Sequence, residues 1–206
     1  VLPSDLLEHF SKGLHNQTPI LTGWVTGDGS FRGETAESVE AYERDAKAKY
    51  GDKADPFLRI FPASTPEEVL KARQKLSLLD FAGVPSRLLA RFNSHKTYLY
   101  QFGHIPPDKP NFPNYGAFHT SEVPYVLNTL HTWERPWRET DLLMAKRLSA
   151  YWVNFAKTGN PNGPNLPTWP SYDTHAGNVL VAEYDLRIVP AFLKAELEFL
   201  EQATYK

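Results

Sequence analysis

Pro19-Ile20-Leu21-Thr22-Gly23-Trp24-Val25 is an apolar run closed at once by Gly27-Asp28-Gly29. Its length and flanks predict a short buried strand that ends in a tight turn. Residues 34–50, rich in Ala, Glu and Lys and stopped by Gly51, predict a mostly exposed helix with a glycine just past its end. Thr65-Pro66-Glu67-Glu68 carries three helix-start signals in four residues: an N-cap hydroxyl, a proline at the first position and a glutamate three after the cap. That helix is expected to run to about Leu79. Residues 85–93 predict another helix with Leu88, Leu89 and Phe92 on one side, and Thr97-Tyr98-Leu99-Tyr100-Gln101-Phe102, β-branched and aromatic, predicts a strand.

Residues 103–118, punctuated by Pro106, Pro107, Pro110 and Pro113, read as a long loop ending in Tyr115-Gly116-Ala117-Phe118-His119. The clearest helical pattern covers residues 140–158, with Met144, Leu148, Tyr151, Trp152 and Phe155 on one face and Gly159 behind it. A Pro/Asn/Gly loop over 160–172, a last strand over 178–183 and a terminal amphipathic helix over 190–202 complete the pattern, while residues 1–18 read as amphipathic and loop-like. Strands alternating with helices predict an α/β fold. Three strands among so many helices leave a sheet edge and an apolar face uncovered, which is the pattern of part of a fold.

Composition narrows the chemistry. With 206 residues, 41% hydrophobic and 13% aromatic, the chain is long enough for one domain, or two small ones, and is not composed like a disordered segment. A net charge of −2 offers no basic field for a phosphate backbone, which argues against nucleic acid as a partner. The absence of Cys excludes disulfides, thiolate metal sites and cysteine nucleophiles within these residues. No apolar run approaches the ~20 residues of a membrane-spanning helix. Val1-Leu2-Pro3-Ser4 has neither an initiator Met nor a secretory n-region, so the expectation is a chain cut, processed or cloned from something longer.

Two loop residues are candidates for chemistry. Asp28 follows a predicted strand, where α/β folds hold functional groups over a crevice; by spacing alone, a simple Asp-Gly turn is the stronger reading. His119 follows the Pro-rich loop, as a hydrogen-bonded loop histidine or as a general base able to accept and return a proton near neutral pH. An acid earlier in the chain than the histidine matches the Ser…Asp/Glu…His order of α/β-hydrolases. His9, His15, His95, His104, His131 and His175 have no metal-ligand spacing and carry no assignment. Trp152 and Phe155 read as core.

Longer patterns go further. Pro19-Ile20-Leu21-Thr22-Gly23 through Gly27-Asp28-Gly29-Ser30-Phe31 resembles the type-B carboxylesterase (cholinesterase-like) family, whose triad acid is followed by Gly-Ser and an aromatic. Gly116-Ala117-Phe118-His119-Thr120-Ser121-Glu122-Val123-Pro124-Tyr125-Val126 is similar to that family's histidine motif. Tyr151-Trp152-Val153-Asn154-Phe155-Ala156-Lys157-Thr158-Gly159-Asn160-Pro161-Asn162, followed by Trp169-Pro170-Ser171-Tyr172, resembles its C-terminal signature. Two departures stand out. Gly27-Asp28 occupies the places of the family's usual Asp-Glu, making the acid one methylene shorter. No Gly-x-Ser-x-Gly occurs, nor any Gly-Gly run to supply oxyanion-hole amides.

The resemblance implies the C-terminal portion of an α/β-hydrolase fold, late sheet strands plus surrounding helices, incomplete without an N-terminal portion of the same enzyme that carries the nucleophile. It implies Asp28 and His119 as triad acid and general base, a small carboxylic ester as substrate, and no metal or organic cofactor. It places Glu122 near the active site, more simply a solvated or hydrogen-bonded carboxylate. Ser30 and Ser121 are candidate hydrogen-bond donors behind the triad, or plain backbone caps. Trp133 and Trp137, among Glu134, Arg135, Arg138 and Glu139, line a substrate mouth or pack against the missing portion. The location it favours is extracytoplasmic, periplasmic or secreted. Two other readings stay open: a non-catalytic binding or adhesion module of the same fold, and an inert truncated fragment.

Overall fold

The computed structural model describes residues 5–28 and 37–204. They form two compact units, divided between Gly27 and Asp28, between Pro85 and Ser86, and between Phe192 and Leu193. Gly29, Ser30 and Phe31, which carry the rest of the acid motif, lie outside the described residues.

The first unit is built on a four-stranded sheet in sequence order: β1 (Ile20–Val25), β2 (Thr97–Phe102), β3 (Val179–Ala182) and β4 (Leu186–Val189). β1 pairs with β2 and β2 with β3 in parallel, and β4 returns antiparallel beside β3. All four residues of β3, Val-Leu-Val-Ala, are buried, as a strand covered on both faces requires. β2 alternates little for the same reason, burying Tyr98, Leu99 and Phe102. Trp24 and Gln101, opposite each other across β1 and β2, share a buried bond from the indole Nε1 to the amide Oε1 at 3.0 Å. At the other end of the strands, Asn93 Nδ2 donates to Thr18 O and to Thr97 Oγ1, tying the starts of β1 and β2 together.

α7 (Glu139–Thr158) packs Met144, Ala145, Leu148 and Tyr151 into the core beside Trp169 and Leu180. Trp152 and Phe155 pack against its margin, in keeping with their reading as core residues. Gly159 ends the helix at φ +71°, a left-handed cap that glycine adopts without steric cost.

Two sequence expectations are corrected here. β4 was not foreseen: Leu-Arg-Ile-Val is too short for a strong alternation, and it is stabilised by its ladder with β3 rather than by its own pattern. Residues 6–11 form a short helix, α1 (Leu6–Ser11), within the stretch read as loop-like, where the Asp5 carboxylate accepts from Glu8 N at 2.9 Å.

The second unit is helical: α2 (Val39–Tyr50), α3 (Ala54–Ile60), α4 (Pro66–Leu78) and α8 (Lys194–Thr204), with a π turn over Leu79–Gly83. The Thr65 cap behaves as its sequence predicts, its hydroxyl accepting from Glu68 N at 3.2 Å while Glu68 Oε2 accepts from Ser64 N at 2.7 Å. Phe57 stacks on Tyr50 and on Phe61 in this core, and Phe199 stands edge-on to Tyr50. Tyr42 donates to Phe61 O at 2.9 Å, and burial pushes its hydroxyl up to about 12. The division between Pro85 and Ser86 falls within α5 (Val84–Phe92), which lies close to the span the sequence predicts.

The β1–β2 pairing depends on glycine at position 23, where an added Cβ would lie 2.2 Å from Tyr100 O and 2.5 Å from Tyr100 Cδ1. Backbone and ring cannot both yield, so Gly23→Ala is expected to cost about 1–3 kcal/mol or more, read as a lowered urea midpoint at unchanged m-value.

Candidate active site

Because β1 and β2 run parallel, the segments leaving them emerge at one edge of the sheet. The ladder continues past both strands. Thr26 N donates to Phe102 O at 2.9 Å, and Gly27 N then donates to Ala117 O, also at 2.9 Å. A Cβ on Gly27 would sit 2.3 Å from Ala117 O and 3.2 Å from Phe118 Cα, so a glycine is required for this approach. Asp28 is the next residue after Gly27 and is half-buried; His119 follows Phe118 and is exposed.

The turn holding His119 is strained and internally bonded. Thr120 has φ +69°, a left-handed conformation unfavourable for a β-branched residue. Its hydroxyl donates to His119 O at 2.5 Å, Ser121 N donates to Phe118 O at 2.9 Å, and Val123 N donates to Thr120 O at 3.1 Å. Ser121 is buried, and its hydroxyl has no partner among the described residues. Glu122, half-buried, leads into the one-turn helix α6 (Val123–Val126). Trp137 packs on the core and stands edge-on to Tyr125 at 5.9 Å, while Trp133 is partly exposed.

A buried polar cluster not read from the sequence lies at the same sheet edge. Asp141, at 0% exposure in the first turn of α7, accepts five hydrogen bonds. Its Oδ1 receives His104 Nε2 at 2.6 Å, the Tyr125 hydroxyl at 3.0 Å and Arg138 Nη2 at 3.0 Å. Its Oδ2 receives Arg138 N at 2.9 Å and Arg138 Nε at 2.7 Å. The other ring nitrogen of His104, Nδ1, is bonded to Glu183 O just beyond β3. Burial alone would push the Asp141 carboxyl up, but the donors from Arg138, His104 and Tyr125 outweigh it and hold the group well below the usual carboxylate range. Burial, with Asp141 beside it, pushes the Tyr125 hydroxyl far up. No local spacing announces this cluster, since His104 and Asp141 are 37 residues apart.

A groove of 740 Å³ opens beside the cluster, lined by His104, Ile105, Pro106, Arg138, Glu183 and Tyr184 among others; neither Asp28 nor His119 lines it. Among the described residues no group of His, Asp and Glu could hold a metal ion, and no helix is long and apolar enough to cross a membrane.

A model of the carboxylesterase family matches residues 2–200. The chain belongs to the carboxylesterase family. It corresponds to a C-terminal part of a type-B carboxylesterase. It is 38% identical over 148 residues to acylcarnitine hydrolase of Rattus norvegicus, covering 66% of this chain and 26% of that protein. It is 39% identical over 95 residues to bile salt-activated lipase of Rattus norvegicus, covering 44% and 15%. A solved "thermophylic PNB esterase" superposes with a TM-score of 0.70 at 22% identity, covering 97% of this chain and 41% of that one. That likeness establishes the α/β-hydrolase type of fold. This carboxylesterase-family chain thus spans about a quarter or less of these curated relatives and 41% of the esterase structure.

The Asp141 cluster makes stability depend on pH. A carboxyl held below the ordinary ~3.9 of an unfolded aspartate contributes fully above that pH and loses its contribution as pH falls below it. Asp141→Asn is expected to destabilise by about 3–5 kcal/mol at pH 7, with the gap to the parent narrowing below about pH 4. Urea melts of both proteins from pH 7 to pH 3 test this; a constant gap counts against it.

Proposed function

We propose that this chain supplies the acid and the general base for serine-dependent hydrolysis of carboxylic esters, with Asp28 and His119 in those roles. The nucleophilic serine and the oxyanion-hole amides belong, in this reading, to an N-terminal portion of the same enzyme, on the same or another chain, and residues 1–206 form the C-terminal part of one catalytic domain. The serine attacks the ester carbonyl while His119 takes its proton. His119 then returns a proton to the departing alcohol, and in the second half of the cycle activates water against the acyl-enzyme. Asp28 accepts a hydrogen bond from the other ring nitrogen, which fixes the tautomer and stabilises the charged imidazole. Alone, the chain is expected to be inactive, because oxyanion donors typically contribute ~3–4 kcal/mol of transition-state stabilisation and the nucleophile is elsewhere. No cofactor is needed for these steps. An extracytoplasmic location goes with this reading.

The observation that supports it most directly is the bond from Gly27 N to Ala117 O, formed only because residue 27 lacks a side chain. It brings the backbone preceding Asp28 against the backbone preceding His119, two motifs about ninety residues apart in sequence. The strained Thr120 supports it as well, since backbone strain of ~1–3 kcal/mol persists where the surrounding structure enforces it. Family membership and relatives named as a hydrolase and a lipase point to the same chemistry. Among the described strands β1 pairs with β2 alone and so stands at the edge of the sheet, where a further strand of the N-terminal portion would pair.

In the intact protein, His119→Ala and Asp28→Asn are each expected to lower kcat for a simple ester by up to about 10⁴-fold at neutral pH with folding retained. A serine-reactive fluorophosphonate should label the parent on a serine outside residues 1–206, as read by intact mass. Parent-like turnover in both variants removes Asp28 and His119 from the mechanism. An unlabelled intact protein without turnover favours a binding module.

A further inference from the structure

The loop that delivers His119 contains no regular element from Gly103 to Glu122 and carries four prolines, so something other than a strand or helix ladder must hold its course. Its base is closed by one carboxylate. At the start of the loop, His104 bonds Asp141 Oδ1 at 2.6 Å; just past its end, the Tyr125 hydroxyl bonds the same oxygen at 3.0 Å. Arg138, bonded to both oxygens of Asp141, also donates from Nη2 to Ile105 O at 2.8 Å, and Arg135 Nη1 donates to Pro107 O at 2.5 Å. Tyr125 is fully buried and edge-on to His104 at 5.2 Å, so its ring leaves the hydroxyl little freedom to find another partner. The short α6 then links Tyr125 rigidly to the turn at Thr120 and Ser121, through Tyr125 N to Glu122 O at 3.0 Å and Val123 N to Thr120 O at 3.1 Å.

We propose that Asp141 is a positioning residue for the His119 loop, acting through Tyr125 on one side and through His104 and Arg138 on the other. This rests on the reading of His119 as the general base. A loop of this length costs several kcal/mol to close and leaves its tip free unless both ends are fixed. Here both ends meet on one buried acceptor, so the backbone that carries the imidazole is fixed from beneath. Displacing a catalytic group by about an ångström can cost on the order of a hundredfold in rate, which is the scale on which such a tether acts.

The test uses Tyr125→Phe in the intact protein, which deletes one hydroxyl and keeps the ring. The matched control is Tyr151→Phe, which deletes a hydroxyl bonded to Pro167 O at 2.5 Å from a buried tyrosine in the same core, away from the His119 loop. For Tyr125→Phe the expected outcome is a kcat lower by about tenfold or more with KM within about twofold, and amide hydrogen exchange at Ser121 and Val123 faster by about tenfold. Tyr151→Phe, at a comparable loss of melting temperature, should leave both readouts at parent values. Unchanged exchange at Ser121 and Val123 in Tyr125→Phe overturns the proposal, as does an equal change in Tyr151→Phe. His119→Ala is measured alongside. If it abolishes turnover while Tyr125→Phe keeps it, the positioning role falls and the catalytic reading stands. If turnover survives His119→Ala, the catalytic reading falls, and the exchange data alone judge the tether.

Discussion

Parallel pairing of β1 with β2, in a register running from Ile20 opposite Thr97 to Val25 opposite Phe102, is the constraint on which the rest depends. Parallel strands send both chains out at the same edge, and here the chain leaving β1 enters the acid motif while the chain leaving β2 enters the loop that ends at His119. The register is supported from both ends: by the Asn93 amide at the strand starts and by the Thr26 and Gly27 amides beyond the strand ends. It also depends on two close approaches, Gly23 against Tyr100 and Gly27 against Ala117, where a methyl group would collide with backbone oxygen. A slip by one residue would turn every side chain of β1 to the opposite face and lose both contacts.

The second support is electrostatic. A carboxylate removed wholly from water is costly unless its lone pairs are satisfied, and Asp141 meets that condition with donors from His104, Tyr125 and Arg138. These come from the exit of β2, from α6 and from the start of α7, so one charge joins three segments that no ladder connects. Apolar residues of similar volume would fill the space but would not fix the direction of an irregular loop. The carboxylate orients where packing alone would be indifferent.

Much of the architecture was legible in residues 5–28 and 37–204, and the reasons differ from element to element. α4 was readable from Thr65-Pro66-Glu67-Glu68 because a cap is local chemistry, satisfied within four residues. α7 was readable from its apolar face, and β1 and β2 from short apolar runs bounded by turn residues. β4 was not, because the four residues Leu186–Val189 are too few for an alternating pattern and are held by their pairing to β3. α1 was missed for a related reason, six residues being too few for a periodic signal. His104 was passed over because a histidine is usually judged by neighbours in sequence, and its partner is 37 residues away.

What the sequence by itself determined is the set of local elements, the α/β class, and the two motifs containing Asp28 and His119 whose resemblance pointed to the carboxylesterase family. Turn glycines, caps and apolar periodicity act over a few residues, and a linear reading captures them. Tertiary structure alone decided which distant segments meet: that Gly27 lies against Ala117, that Thr120 is held in a left-handed turn, and that Asp141 gathers His104, Tyr125 and Arg138. These depend on strand register and on the burial of a charge, both of which exist only once the sheet has formed and water has been excluded from its edge.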